Sequence, residues 1–178
     1  MTATNMGTVT TQKVTAPRKT FVLLSAGILA MVVGFGSMAG GIFGAWYTYD
    51  QAVAQDVTTP DDAAIPETAV RGPFTMWAQA DIITHHQLDS TEGLYYSQME
   101  RTVPQLDENG VAVLDESGEA VMVPNEARAS WLSATTLTTA LGLGMMSYAL
   151  SALAIATGLT LAVIGFVFLY IRKRAVIL

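Results

Sequence analysis

Three observations predict a membrane protein of mainly α class, with two transmembrane helices and a small α+β extracytoplasmic segment between them. Of 178 residues, 51% are hydrophobic and only 13% charged, where about 25% charge is usual for a soluble domain. The apolar residues gather in two uncharged blocks, Thr20 to Tyr49 and Ala129 to Ile171, each longer than a helix needs to cross a hydrocarbon core of about 30 Å. All 15 acidic residues lie between those blocks, together with only Arg71, Arg101 and Arg128. The remaining basic residues flank the blocks on their other sides: Lys13, Arg18 and Lys19 before the first, Arg172, Lys173 and Arg174 after the second. By the positive-inside rule this distribution predicts a cell-membrane protein with both termini cytoplasmic and the acidic centre outside.

In chain order, residues 1–20 read as a cytoplasmic tail and 21–47 as the first transmembrane helix, about 40 Å long at 1.5 Å per residue. That exceeds the 7 to 15 apolar residues of a signal peptide. Trp46, Tyr47 and Tyr49 mark its outer end, because Trp and Tyr favour the interface. Residues 48–72, with Thr58-Thr59-Pro60-Asp61-Asp62 and Ile65-Pro66-Glu67, show neither helical nor strand period and predict an extended linker. An extracytoplasmic segment, 73–136, comes after it. Within that segment a short helix is expected over 76–89, opened by Pro73-Phe74-Thr75 and stopped near Gly93.

An internal repeat comes next: Leu106-Asp107-Glu108-Asn109-Gly110-Val111-Ala112-Val113 returns at period eight as Leu114-Asp115-Glu116-Ser117-Gly118-Glu119-Ala120-Val121. Asn-Gly and Ser-Gly between valine-rich runs signal tight turns, so 103–123 reads as a β-hairpin or small meander. The last element is a long helix over 137–171, with its transmembrane span at about 148–171 and a cytoplasmic tail over 172–178. Tyr148 and Tyr170 are about 33 Å apart on a helix, one bilayer thickness. Asn125 and Glu126 offer an earlier N-cap and first turn, which would carry Trp131 outside the membrane on the same helix.

The composition excludes several chemistries. Without cysteine there is no disulfide framework, iron–sulfur cluster or c-type haem attachment in the chain. The net charge of −6 disfavours nucleic acid, which needs a basic surface. No ionisable residue lies within either span, whereas proton and ion routes require them. Asp81, His85 and His86 are the only candidates for metal chemistry, as His85 stands at i+4 from Asp81. Adjacent histidines diverge by about 100° on a helix, however, and polar surface contacts are the expectation. Asp107-x-Asn109-Gly110 has the start of a calcium loop but neither its third ligand nor its closing glutamate in register. No catalytic, metal or cofactor residue is therefore assigned.

What is assigned is packing. Gly36, Gly40 and Gly44 repeat every four residues on the first span, and Ala154, Gly158 and Ala162 on the second. Such stripes let helices approach closely in lipid, either on each other or on a partner. Trp77, His86, Tyr95, Tyr96 and Trp131 are candidate contacts on the outer segment, aromatics being the residues that anchor interfaces.

The residues Pro73-Phe74-Thr75, Ala80-Asp81-Ile82-Ile83, His86, Leu88, Thr91, Gly93 and Tyr96, followed by Arg128, Trp131, Ala134-Thr135 and Leu137, form a set. In these the chain resembles a family of small two-helix actinobacterial membrane proteins that automated naming often calls aromatic ring-opening dioxygenase. The 103–123 ribbon interrupts that pattern as an insertion. Extradiol ring opening needs iron on two histidines and a carboxylate in an enclosed pocket, and the outer segment is too slight to enclose one. The resemblance instead implies an accessory subunit of the actinobacterial respiratory supercomplex, in which cytochrome bcc, a menaquinol:cytochrome c reductase, is joined to the haem-aa-type cytochrome c oxidase. Its expected partners are subunits of those two complexes and the lipid bilayer. The competing expectations are a membrane-anchored metal enzyme using His85, His86 and Asp81, and a free-standing two-span adaptor.

Overall fold

The computed structural model describes residues 17–177; most of the expected N-terminal tail and Leu178 lie outside the described residues. It is mainly helical, with two long apolar helices that could span a membrane and a two-stranded sheet. The elements are α1 (Pro17–Ala54), α2 (Pro73–Ser90), a single 3-10 turn (Tyr96–Gln98), β1 (Thr102–Pro104), β2 (Met122–Pro124) and α3 (Glu126–Ile177). Two compact units divide the chain, one of residues up to Ala39 together with those from Ala154 onward, the other Gly40–Leu153.

In the first unit two helices run antiparallel with glycine against glycine. A Cβ placed on Gly34 would lie 2.7 Å from the carbonyl oxygen of Gly158 and 2.8 Å from the backbone nitrogen of Ala162. One on Gly158 would meet the Gly34 carbonyl oxygen at 2.5 Å and Met38 at 2.7 Å. Gly27 and Gly165 repeat the arrangement, with Met31 lying over Gly165. The operative spacing is thus seven rather than four. In this unit the buried positions are Gly27 and Gly34 on α1 and Gly158 and Gly165 on α3. A seven-residue period keeps one stripe in contact when two helices wind left-handed around each other, and small residues let the backbones close up.

In the second unit α1 continues past the expected end of the span, so residues 48–54 are helical and do not belong to a linker. The helix stops where Asp56 takes a left-handed conformation, φ 48°, as a residue just past a helix end often does. The chain then forms a closed loop, not an extended linker. Thr59, only 2% exposed, donates through Oγ1 to the Ile65 carbonyl at 2.6 Å and accepts from the Thr68 N–H at 2.9 Å. The loop is shut by the Val70 N–H on the Val57 carbonyl at 2.8 Å. A segment with no periodicity is therefore ordered by one buried hydroxyl, a device that leaves no pattern along the chain.

Helix α2 begins with Pro73 at its first position, where no intrahelical N–H is needed. Gly72 has no side chain to cap with, and Thr75 Oγ1 instead accepts from the N–H groups of Arg71 and Gly72, both at 3.1 Å. Of its buried residues Met76, Ala78, Ile82 and Gln87, two reach α3: the Met76 sulfur lies against Gly144, and Gln87 Nε2 donates to Ser130 Oγ at 2.6 Å. Helix α3 starts at Glu126, well before 137, because Asn125 Oδ1 accepts from the Arg128 N–H at 3.2 Å and caps the first turn.

The octad repeat forms neither a plain hairpin nor a meander. β1 and β2 pair antiparallel with Val103 opposite Val123, but beyond them the chain opens into a three-way junction. The Gln105 N–H donates to the Val121 carbonyl (2.7 Å), Val121 to Val113 (2.8 Å) and Val113 back to Gln105 (2.8 Å). These three positions are eight residues apart, so the repeat is a pseudo-threefold ring of hydrogen bonds with three short arms. Two arms end in identical turns, with Gly110 and Gly118 at φ 76° and 83°, values that favour glycine. Asp107 Oδ1 accepts from the N–H groups of Asn109 and Val111, and Asp115 Oδ1 from those of Ser117 and Glu119. These donors hold both carboxyls below the ordinary range, led by the Val111 N–H for Asp107 and the Ser117 hydroxyl for Asp115.

Candidate interaction surface

The outer aromatics sort into one internal anchor and two exposed groups. Trp131 is 7% exposed and satisfied within the chain: its indole N–H is shared between the Leu94 carbonyl (2.9 Å) and Thr91 Oγ1 (3.3 Å). Thr91 Oγ1 in turn lies 2.8 Å from the carbonyl oxygens of both Gln87 and Leu94, either of which can take its one proton. Trp131 therefore belongs to the core of this unit and presents little surface to a partner. What it does is carry Tyr95, whose ring lies 5.4 Å from its own.

Tyr95 and Tyr96 are 52% and 41% exposed and held in place from behind. The Arg128 guanidinium lies 4.0 Å from the centre of the Tyr96 ring, a cation–π contact. The Asn125 side-chain amide donates to the Glu100 carbonyl at 3.0 Å, and the Asn125 N–H to the Arg101 carbonyl at 3.1 Å. The strand of chain carrying the two tyrosines is thereby latched along the first turn of α3. Trp77, half exposed, shares the start of α2 with Phe74, which is 77% exposed. The two stand at i and i+3 and so share one face. Phe74 was not among the contacts expected from sequence, although its spacing from Trp77 carries the signal.

His86 and His85 engage different carboxylates. His86 Nε2 lies 2.7 Å from Asp62 Oδ2, and both side chains are about half exposed. That hydrogen bond holds the Asp62 carboxyl below its ordinary pKa of 3.8. His85 Nδ1 lies 3.6 Å from the Asp81 carboxylate and 3.2 Å from the Asp81 carbonyl oxygen. Among the described residues no three His, Asp or Glu side chains converge as a metal would need. His86 thus ties α2 to the 55–72 loop, a contact that the separation of Asp62 from His86 along the chain hides.

The expected glycine stripe divides. Gly158 and Ala162 pack on α1 through Gly34, and a Cβ on Gly44 would meet Ser151 Oγ at 2.8 Å. Gly36 and Gly40 have nothing within 4 Å of where a Cβ would sit, and Ala154 is only partly covered. No family model matches this chain, and no curated protein or solved structure is significantly similar to it.

Proposed function

We propose that the protein is a noncatalytic accessory subunit of a membrane respiratory supercomplex, supporting its assembly or stability. In this reading the two helices cross the cell membrane with both termini cytoplasmic, and the 50–130 region docks outside on subunits of cytochrome bcc and cytochrome c oxidase. The observation that carries it is the pairing of exposed aromatics, Phe74 with Trp77 and Tyr95 with Tyr96, the second pair held by the Trp131 ring and the Arg128 guanidinium. Rigid, exposed aromatics of this kind serve as interface anchors, and an ordered side chain loses little entropy on docking. The resemblance to the two-helix actinobacterial family supplies the identity of the partners. The chain contributes no redox site of its own in this reading: it has no cysteine, and its histidines are engaged on separate carboxylates.

The test is affinity purification of the tagged chain in mild detergent. Cytochrome subunits should accompany it, and deletion should lower the yield of intact complex while haem content and turnover per intact complex stay the same. Recovery of the chain without cytochrome subunits overturns the assignment. If it carries stoichiometric metal and oxidises an aromatic substrate, the enzyme reading replaces it. Orientation is tested separately with single cysteines: an impermeant reagent on intact cells should label Ser97→Cys and leave Thr8→Cys unlabelled.

A further inference from the structure

Within the 40–153 unit the end of α1, the start of α2 and residues 137–144 of α3 line a half-open cavity of about 480 Å³. That is the size of a small-molecule site, which is commonly about 300 to 1,000 Å³. None of its lining residues carries a charge. Val70, Met76, Ile83, Leu137 and Leu141 make most of the wall, and polar groups are confined to Thr48 and the amides of Gln51, Gln55 and Gln79. Gln51 and Gln55 stand at i and i+4, on one face of α1. The Gln79 side-chain oxygen Oε1 is buried with no hydrogen-bond donor among the described residues. A buried acceptor without a partner is costly, and the terminal torsion of glutamine is soft enough for a small rotation to turn the oxygen toward the cavity.

We propose that this cavity binds a neutral lipid with a hydroxyl-bearing head, its chain along the aliphatic wall and its hydroxyl donating to Gln79. A lining without charge selects against phosphate and carboxylate heads, which would be buried without a counter-charge. A pure hydrocarbon would leave Gln79 unpaired. The amides of Gln51 and Gln55 can receive the remaining head oxygens, and the unbranched Met76 adapts to the chain. The lipid arrives from the bilayer, so the inference rests on the proposed membrane location. It is independent of the respiratory assignment, because the residues that would hold the lipid all belong to this chain.

The test uses the purified full chain in detergent and in nanodiscs, with a diazirine-bearing monooleoylglycerol as photoprobe and no partner present. Saturable labelling is expected at Met76, Ile83 and Leu141, displaced by monooleoylglycerol but not by oleic acid. Gln79→Leu should weaken displacement by monooleoylglycerol about tenfold, the loss of one buried hydrogen bond, and leave displacement by its dimethyl ether unchanged. Ala52→Trp, which fills the cavity from α1, should abolish labelling while the chain remains folded by circular dichroism. Labelling spread evenly over lipid-facing positions such as Leu150 and Phe166, or equal competition by oleic acid, overturns the proposal. So does unsaturable labelling, which would leave water as the only occupant. Co-purification with cytochrome subunits can fail without touching these results, and the reverse also holds.

Discussion

The two units of this chain are held together by opposite means. In the paired helices the contact is made by what is missing, with Gly34 against Gly158 and Gly27 against Gly165, so that backbone meets backbone. In the 40–153 unit the contacts centre on small polar atoms, each fully engaged: Thr59 in its loop, Thr91 between α2 and Trp131, Gln87 on Ser130. Two apolar helices that could span a membrane would gain nothing there from hydrophobic burial against each other, and close van der Waals packing is the force that glycine contacts supply. A segment with few large buried side chains is specified instead by hydrogen bonds and one tryptophan. The difference teaches that substitutions in the two units should fail differently, by steric exclusion in one and by lost satisfaction in the other.

The largest expected effect is that of Gly158→Leu, which drives a side chain into the Gly34 backbone and should abolish the helix pairing. Thermal melting of the full chain in detergent reports it, and the variant should melt well below the parent. Trp131→Ala should come next, destabilising the 40–153 unit by about 3 to 5 kcal/mol as a core tryptophan is removed. Chemical denaturation in detergent measures it. Gly110→Ala should cost about 1 to 2 kcal/mol through its left-handed backbone, read as faster proteolysis of that arm alone.

Gly40→Leu sharpens the comparison in another way. Among the described residues outside its own helix backbone and chain neighbours nothing lies within 4 Å of where its Cβ would sit, so the isolated protein should melt as before; a lower yield of complex would show that a partner helix packs there. The smallest effect is that of His86→Ala on Asp62. The Asp62 carboxyl is held below 3.8, so whatever stability this bond adds is present above that pH and lost as pH falls through the depressed value. In His86→Ala the carboxyl should titrate back near its ordinary value, followed by NMR.

Much of the fold was legible because it rests on local patterns. The two uncharged runs show as the two long helices, Pro73 and Asn125 mark helix starts, and the octad repeat shows by eye. What the sequence hid is non-local. The four-residue glycine spacing is conspicuous, but the contact uses positions seven apart, and only the matching interval on both helices, Gly27 to Gly34 and Gly158 to Gly165, reveals it. The 55–72 loop has no period because a single threonine orders it. Trp131 looks like an interface residue until Thr91 and Leu94, distant in the chain, are found to satisfy its N–H.

The ring joining Gln105, Val113 and Val121 has one more implication. Because those three bonds close on themselves, the base of each arm is fixed by backbone pairs that do not depend on the sequence of its tip. A peptide epitope grafted between Asn109 and Gly110 would give up the Asp107 turn and leave the ring's three bonds in place. That makes the tip a handle for purifying the chain.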